Sequence, residues 1–264
     1  MTAFARATPP LPRPPGRLKY HFVRLGLRFF VRCYLRVRVE GAEQLPTNSS
    51  YVLCFSHPNW IDPMLVVGFW PDRRWLLIFG PREEHMGVGR RNAIIRWAGL
   101  GLPFKPSRSD LIETTRRAVG ALRGGYILAV AGEGRLSERE GAIVPLQEGP
   151  AFLALRAGVP VVPLAIVGTR WLRFGKPISL RIGPAIATSG RRSDRATVGQ
   201  LTAAVQSALE GLLEGVQPEP PPGPFGRWLT DVFNVRPWLA ETGGSEDESR
   251  PDQPNGGAAR QKDN

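Results

Sequence analysis

The 264-residue sequence predicts an α/β fold: a mixed, largely parallel sheet flanked by helices, with an N-terminal amphipathic helix. Three observations predict it. Short runs rich in Val, Ile, Leu and aromatic residues alternate with amphipathic stretches between residues 17 and 216, the pattern of strand–helix layers. No apolar run is long enough to span a bilayer. Both ends turn to Pro, Gly and polar residues, a composition that does not support a packed core. The expected organisation is therefore a disordered tail at 1–16, a domain at 17–216 that includes the amphipathic helix at 17–34, and a mostly disordered C-terminal tail at 217–264.

The elements follow in order. Leu35–Val39, Tyr51–Phe55, Trp75–Phe79, Tyr126–Ala131, Val161–Val167 and Ile178–Ile182 are the strand candidates. Pro63–Gly68, Gly89–Ala98, Ser109–Arg123, Gly149–Ala157 and Asp194–Gly215 are the helix candidates between them. Ser109 is the expected cap of its helix, with Glu113 in the first turn and Arg116, Arg117 and Arg123 further along. Within the C-terminal tail, Phe225–Phe233 forms a short apolar island, read as a latch packing on the domain.

Residues 17–34 have a helical pattern at about 100° per residue. Arg17, Arg24, Arg28 and Arg32 fall on one stripe, and Leu18, Phe22, Val23, Phe29, Phe30, Cys33 and Tyr34 cover the other side; Lys19 and Val31 break the pattern. Two arrangements suit it: a helix lying in a lipid interface with its rings in the acyl boundary and its arginines on phosphates, or a helix packed on its own domain with a solvated arginine edge.

The formal net charge of +12 points to an anionic partner, whether a membrane surface, a phosphorylated substrate or nucleic acid. RRM-like aromatic signatures and a helix-turn-helix are absent, so nucleic acid is not expected. Cys33 and Cys54 form no CxxC pair, which argues against a disulfide or zinc site and fits a reducing, cytoplasmic compartment. No secretory signal is apparent in the first residues. Walker A and GxGxxG sequences are also absent.

The stretch Ser56-His57-Pro58-Asn59-Trp60-Ile61-Asp62-Pro63 follows the Tyr51–Phe55 run. A strand followed by a proline-bracketed turn sets side chains at the carboxyl edge of the sheet, where open α/β folds keep their sites. Asp62 can reach one imidazole nitrogen of His57, fix its tautomer and stabilise the imidazolium, leaving the other nitrogen to act as general base on a substrate hydroxyl. The bland alternative is a histidine satisfied within a loop. A zinc site from His57, Asp62 and His85 has no HExxH or cysteine cluster behind it, so no metal is expected.

Three further blocks follow: Gly-Leu-Gly-Leu-Pro-Phe-Lys-Pro-Ser-Arg at 99–108, Gly-Glu-Gly-Arg-Leu-Ser at 132–137, and Ala-Gly-Val-Pro-Val-Val-Pro-Leu-Ala-Ile-Val-Gly-Thr at 157–169. In this order and spacing, from about His57 to Thr169, the chain resembles the glycerolipid acyltransferase family, whose best-known members acylate 1-acylglycerol-3-phosphate. The resemblance implies that His57 is the catalytic base and Asp62 its charge partner. It implies substrate-binding roles for Lys105, Arg108, Glu133, Gly134 and Arg135, with Arg108 and Lys105 on the acceptor phosphate, and an acyl-chain role for Pro160 and Pro163. Trp60, inside the His–Asp loop, is read as a wall of the acyl pocket. Two departures stand out: no proline precedes Glu133, and Arg108 falls one residue late. The EGR form also occurs in the branch acylating lysophosphatidylethanolamine and related lipids.

The expected activity is transfer of a fatty acyl chain from a thioester to the free hydroxyl of a lysophospholipid, with 1-acylglycerol-3-phosphate as the first expected acceptor, in phospholipid biosynthesis. No cofactor is expected beyond acyl-CoA or acyl-carrier-protein as co-substrate. The expected partners are that lipid, the donor and an anionic membrane surface met by residues 17–34, and the expected location is the cytoplasmic face of the membrane, peripherally. The alternatives are acylation or transacylation of another acceptor and, from a different class, a non-catalytic basic protein binding membrane or nucleic acid.

Overall fold

The fold is described from a computed structural model, which describes residues 16–82, 95–104, 108–137 and 141–234. The elements are α1 (Arg17–Tyr34), β1 (Leu35–Glu40), β2 (Val52–Phe55), α2 (Asp62–Phe69), β3 (Leu76–Arg82), β4 (Gly101–Phe104), α3 (Arg108–Arg123), β5 (Ile127–Ala131), α4 (Gly149–Ala157), β6 (Val161–Val167), β7 (Lys176–Ile182), α5 (Arg195–Leu213) and α6 (Pro224–Asn234). The seven strands lie in the order β1-β7-β6-β2-β5-β3-β4. Only β6 and β7 pair antiparallel; the other neighbours are parallel.

Alternation along the strands sorts the core into two layers. Leu53 and Phe55 of β2, with Val162, Leu164 and Ile166 of β6, face α1 and α2. Val52 and Cys54, with Val161 and Ala165, face α3, α4 and α5. The central strands are buried on both faces, so they read as continuous apolar runs. β7 beside the edge alternates, with Ile178, Leu180 and Ile182 inward.

Several helix ends are legible in sequence. Pro63 enters the first turn of α2 with Asp62 at the positive end of its dipole. Asp194 caps α5 by accepting the Thr197 amide at 2.8 Å. Gly158, at φ 73°, closes α4 in the left-handed region. Other expectations need correction. α3 begins at Arg108, so Ser109 lies inside it and is not its cap. Gly101–Phe104, read only as a motif block, is edge strand β4. Of the helix expected at Gly89–Ala98, the described part, 95–98, is helical. Most of the expected tail at 1–16, the C-terminal residues from 235 and His85 lie outside the described residues.

α1 packs on its own domain, and it does so with part of the arginine edge expected in solvent or on phosphates. Arg24 is buried and donates to the carbonyls of Trp70 and Asp72, and Arg28 donates to Gly68, while Arg32 is exposed. These carbonyls lie at and just beyond the C-terminal end of α2, where cations are favoured by the orphan acceptors and the helix dipole. Tyr20 and Val31 bury beside them. Leu18, Phe22, Leu25 and Phe29, spaced on one stripe, all face outward and are each more than 60% exposed.

Candidate active site

β2 ends at Phe55 between β5 and β6, and the turn that follows is held by both neighbours. The Ser56 amide donates to Leu164 at 3.1 Å, and Ser56 Oγ accepts from the Ile166 amide at 2.9 Å. Two residues beyond the strand, His57 Nδ1 lies 3.0 Å from Asp62 Oδ2. The same carboxylate oxygen accepts the Asn59 amide at 2.7 Å, and Asn59 Oδ1 accepts the Ile61 amide at 3.0 Å. The turn thus closes on itself and fixes the aspartate before α2 begins.

With the carboxylate on Nδ1, the proton sits there and Nε2 is the atom left for proton traffic. Asp62 is fully buried and His57 is 6% exposed. Burial pushes the Asp62 carboxyl above its ordinary range, while the His57 ring, the Asn59 amide and the nearby Thr169 hydroxyl act against it. Thr169 is fully buried, with its hydroxyl near enough to Asp62 to favour the ionised carboxyl. The imidazole meets Trp60 edge to face at 5.2 Å and 84°, and Phe55 at 5.8 Å and 75°.

Glu133 is the second buried carboxylate at this edge. It is 2% exposed and is enclosed by protein donors: the His57 amide at 3.2 Å, the Ser137 hydroxyl, and the Val144 amide at 3.3 Å. Ser137 returns the contact by donating its amide to the His57 carbonyl at 2.8 Å. Its hydrogen bonds among the described residues all go to the protein, so besides the substrate-binding role that the resemblance implies, the residue braces the backbone that carries His57. Glycine is required on both sides of it. A Cβ on Gly132 would meet Cys54 Sγ at 2.7 Å and Leu146 at 2.9 Å, and Gly134 sits at φ 68°. The Cys54 thiol beneath is pushed up to about 12 by burial, with the Glu133 charge adding to it, so it is inert at neutral pH.

Gly134 and Arg135 are exposed on the same turn. Lys105 lies outside the described residues, and Arg108 opens α3 with its side chain outside them. Trp60 adjoins the imidazole, whereas Pro160 and Pro163, the other two residues expected at the acyl pocket, lie away from it by strand register. The Pro160 carbonyl accepts from Val52, at the start of β2. His57 lies five residues further along, about 17 Å away at the rise of an extended strand. Pro163 pairs with Cys54 and its ring packs toward Gly183, on the face away from the imidazole. A cavity of about 480 Å³ also lies on that opposite face, among Phe79, Leu111, Val130, Phe152, Leu153 and Val198.

Ser56, Asn59, Ser137 and Thr169 were not singled out from sequence. Asn59 and Ser137 lie within the recognised blocks and carried a weak signal as turn residues whose side chains bond nearby backbone. Ser56 and Thr169 carried none: the partners of Ser56 lie on β6, and Thr169 meets Asp62 from a distant part of the chain.

The comparisons with known proteins agree with this geometry. The family described as Acyltransferase matches residues 36–167, half of the chain. The chain is 22% identical over 168 residues to mouse 1-acyl-sn-glycerol-3-phosphate acyltransferase alpha, covering 61% of this chain and 58% of that relative's length. Its fold is similar to the crystal structure of the 1-acyl-sn-glycerophosphate (LPA) acyltransferase PlsC from Thermotoga maritima, with a TM-score of 0.58, 21% identity, and coverage of 75% of this chain and 83% of that one. The His57–Asp62 pair lies within the matched residues, and the chain belongs to the acyltransferase family.

Proposed function

We propose that this chain is an O-acyltransferase of phospholipid biosynthesis. It moves a fatty acyl group from an acyl thioester, carried by coenzyme A or acyl-carrier-protein, to the free hydroxyl of a lysophospholipid, with 1-acylglycerol-3-phosphate as the acceptor that its relatives favour. The observation that carries the reading is the 3.0 Å contact between His57 Nδ1 and Asp62, held on a turn at the carboxyl edge of the sheet.

In this mechanism Nε2 of His57 removes the proton from the acceptor hydroxyl as its oxygen attacks the thioester carbonyl. The new C–O bond forms, the carbonyl electrons move onto oxygen, and Asp62 stabilises the imidazolium. Collapse of the tetrahedral oxyanion breaks the C–S bond, and the imidazolium returns its proton to the leaving thiolate. No covalent acyl-enzyme is needed, since the substrate supplies the nucleophile. Backbone amides or Arg135 on the 133–135 turn are the proposed oxyanion donors.

The acceptor lies in a membrane, and peripheral work at its cytoplasmic face is part of the proposal. No helix among the described residues is long and apolar enough to cross a bilayer. The outward stripe of α1 supports contact with a lipid surface, and the excess of +12 favours anionic headgroups.

The test is thiol release from acyl-CoA and acyl-carrier-protein with a panel of lysophospholipids. Release that depends on a lysophospholipid, and is lost in His57→Ala, is the expected result. Equal release with every acceptor, or with none, would refute the reading.

A further inference from the structure

The search outside the His57–Asp62 pair leads to the segment after residue 167, beyond the family match. β7 runs antiparallel to β6 and β1 parallel to β7, so the loop at 168–175 and the end of α1 both lie at the edge that carries His57. Tyr34 meets Phe174 there, edge to face at 6.3 Å, and its carbonyl accepts the Gly175 amide at 2.7 Å. α6 docks on the same loop. The Leu172 amide donates to Thr230 Oγ1 at 2.8 Å, and a Cβ on Gly226 would meet the Leu172 carbonyl at 3.2 Å. Lys176, 2% exposed, anchors the approach to α6 by pairing with Glu219 at 2.7 Å and donating to the Trp171 carbonyl at 2.8 Å.

The latch read from the sequence is therefore present, and among its described side chains the inward residues are Gly226, Leu229 and Thr230. Phe225 and Trp228 remain 66% and 58% exposed, with their rings 5.6 Å apart. Phe174 is 72% exposed on the loop that holds α6 through Leu172. Exposed rings of three elements, Tyr34 at the end of α1, Phe174 on the loop and Phe225 and Trp228 on α6, thus gather where α6 and α1 both meet the 168–175 loop at the active edge. The charged residues flanking them in sequence are Arg32, Arg170, Arg173 and Arg227 against Asp231.

We propose that α6 is a second membrane-contact element: Phe225 and Trp228, with Phe174 and the outward face of α1, dock the active edge of the sheet on an anionic lipid surface. Exposed rings beside arginines suit the interface, where rings enter the acyl boundary and guanidinium groups meet phosphates. Charge decides against a second copy of the chain, which brings its own +12 to the contact. The arrangement opens the site toward the phase that holds a lysophospholipid, and in this it rests on the function proposed above.

The test is co-sedimentation of the full chain with phosphatidylcholine–phosphatidylglycerol vesicles, which needs no turnover. F225S/W228S, and separately Phe174→Ser, are expected to weaken partition roughly ten-fold or more each, with unchanged circular dichroism. The conservative pair Phe225→Leu with Trp228→Phe should retain binding. F225S/W228S should also keep its rate on a short-chain acceptor dissolved as monomer. Vesicle binding unchanged in both polar variants, or lost equally in the conservative pair, would overturn the proposal. So would a dimer in solution that F225S/W228S dissociates without loss of vesicle binding. A protein that binds vesicles through α6 yet releases no thiol would overturn the catalytic reading alone.

Discussion

The two ends of β2 carry buried polar clusters of opposite kinds. Before the strand, Tyr51 donates to Asp72 Oδ2 at 2.9 Å and accepts from Trp70 Nε1 at 2.9 Å. Arg74 forks onto Asp72 and also donates to the carbonyls of Pro46 and Ser49. Each side chain in that cluster has a partner. After the strand, His57, Asp62 and Glu133 are bound just as closely by the backbone, but Asn59 Nδ2, Asp62 Oδ1 and Thr169 Oγ1 have no hydrogen-bond partner among the described residues. Buried polar atoms cost free energy when left unsatisfied. The difference teaches where stability was the end served and where it was traded for a reactive group, as strain and unmet bonds gather at functional sites.

That contrast breaks most sharply at His57. His57→Ala should lower thiol release by about 10²–10⁴ with the melting transition intact; a folded variant at full rate would end the claim for the carboxyl end. Glu133→Gln comes next. The charge is lost, and an amide NH₂ faces at least one of the protein donors now satisfied. We expect kcat to fall about 10- to 100-fold, KM for the acceptor to hold, and stability to drop by ~1–3 kcal/mol. A rise in KM alone would make Glu133 a substrate contact instead.

At the amino end the order of effects reverses. Tyr51→Phe removes a donor to Asp72 and an acceptor for Trp70, so stability should fall by ~1–3 kcal/mol while kcat at 25 °C stays within about two-fold. A matching loss of activity would mean that the two ends are coupled. The smallest effect expected is on acid stability. Burial pushes the Asp72 carboxyl up, but the bonds from Arg74 and Tyr51 outweigh it and hold the group below its ordinary value. Its contribution is therefore present above the unfolded carboxylate range near pH 4 and is lost as pH falls through the folded value. Asp72→Asn should flatten the decline in melting temperature below about pH 4. An unchanged slope would remove Asp72 from the acid transition.

The His57–Asp62 turn was legible because its geometry is local. His57 and Asp62 are five residues apart, and the strand before them and the prolines around them confine the geometry. The motif order carried the family in the same way. Glu133 was visible as a residue but not in its bracing role, because its donors come from positions 57, 137 and 144. The distance of Pro160 and Pro163 from His57 was hidden for a related reason. A motif block is continuous in sequence, yet parallel pairing lays its first residues at the far end of β2 from His57.

Sequence by itself determined the layer order of strands and helices, the proline and aspartate starts of α2 and α5, and the His57–Asp62 pairing, since each follows from periodicity, capping or short-range reach. Tertiary structure alone decided the direction of α1. The periodicity of residues 17–34 defines two faces but not which of them is inside. Free carbonyls at and just beyond the end of α2 drew Arg24 and Arg28 inward, and the apolar stripe was left outside. The return of α6 to the same edge was likewise settled by contacts between residues more than forty positions apart, Lys176 with Glu219 and Leu172 with Thr230, where no local preference of the chain can act.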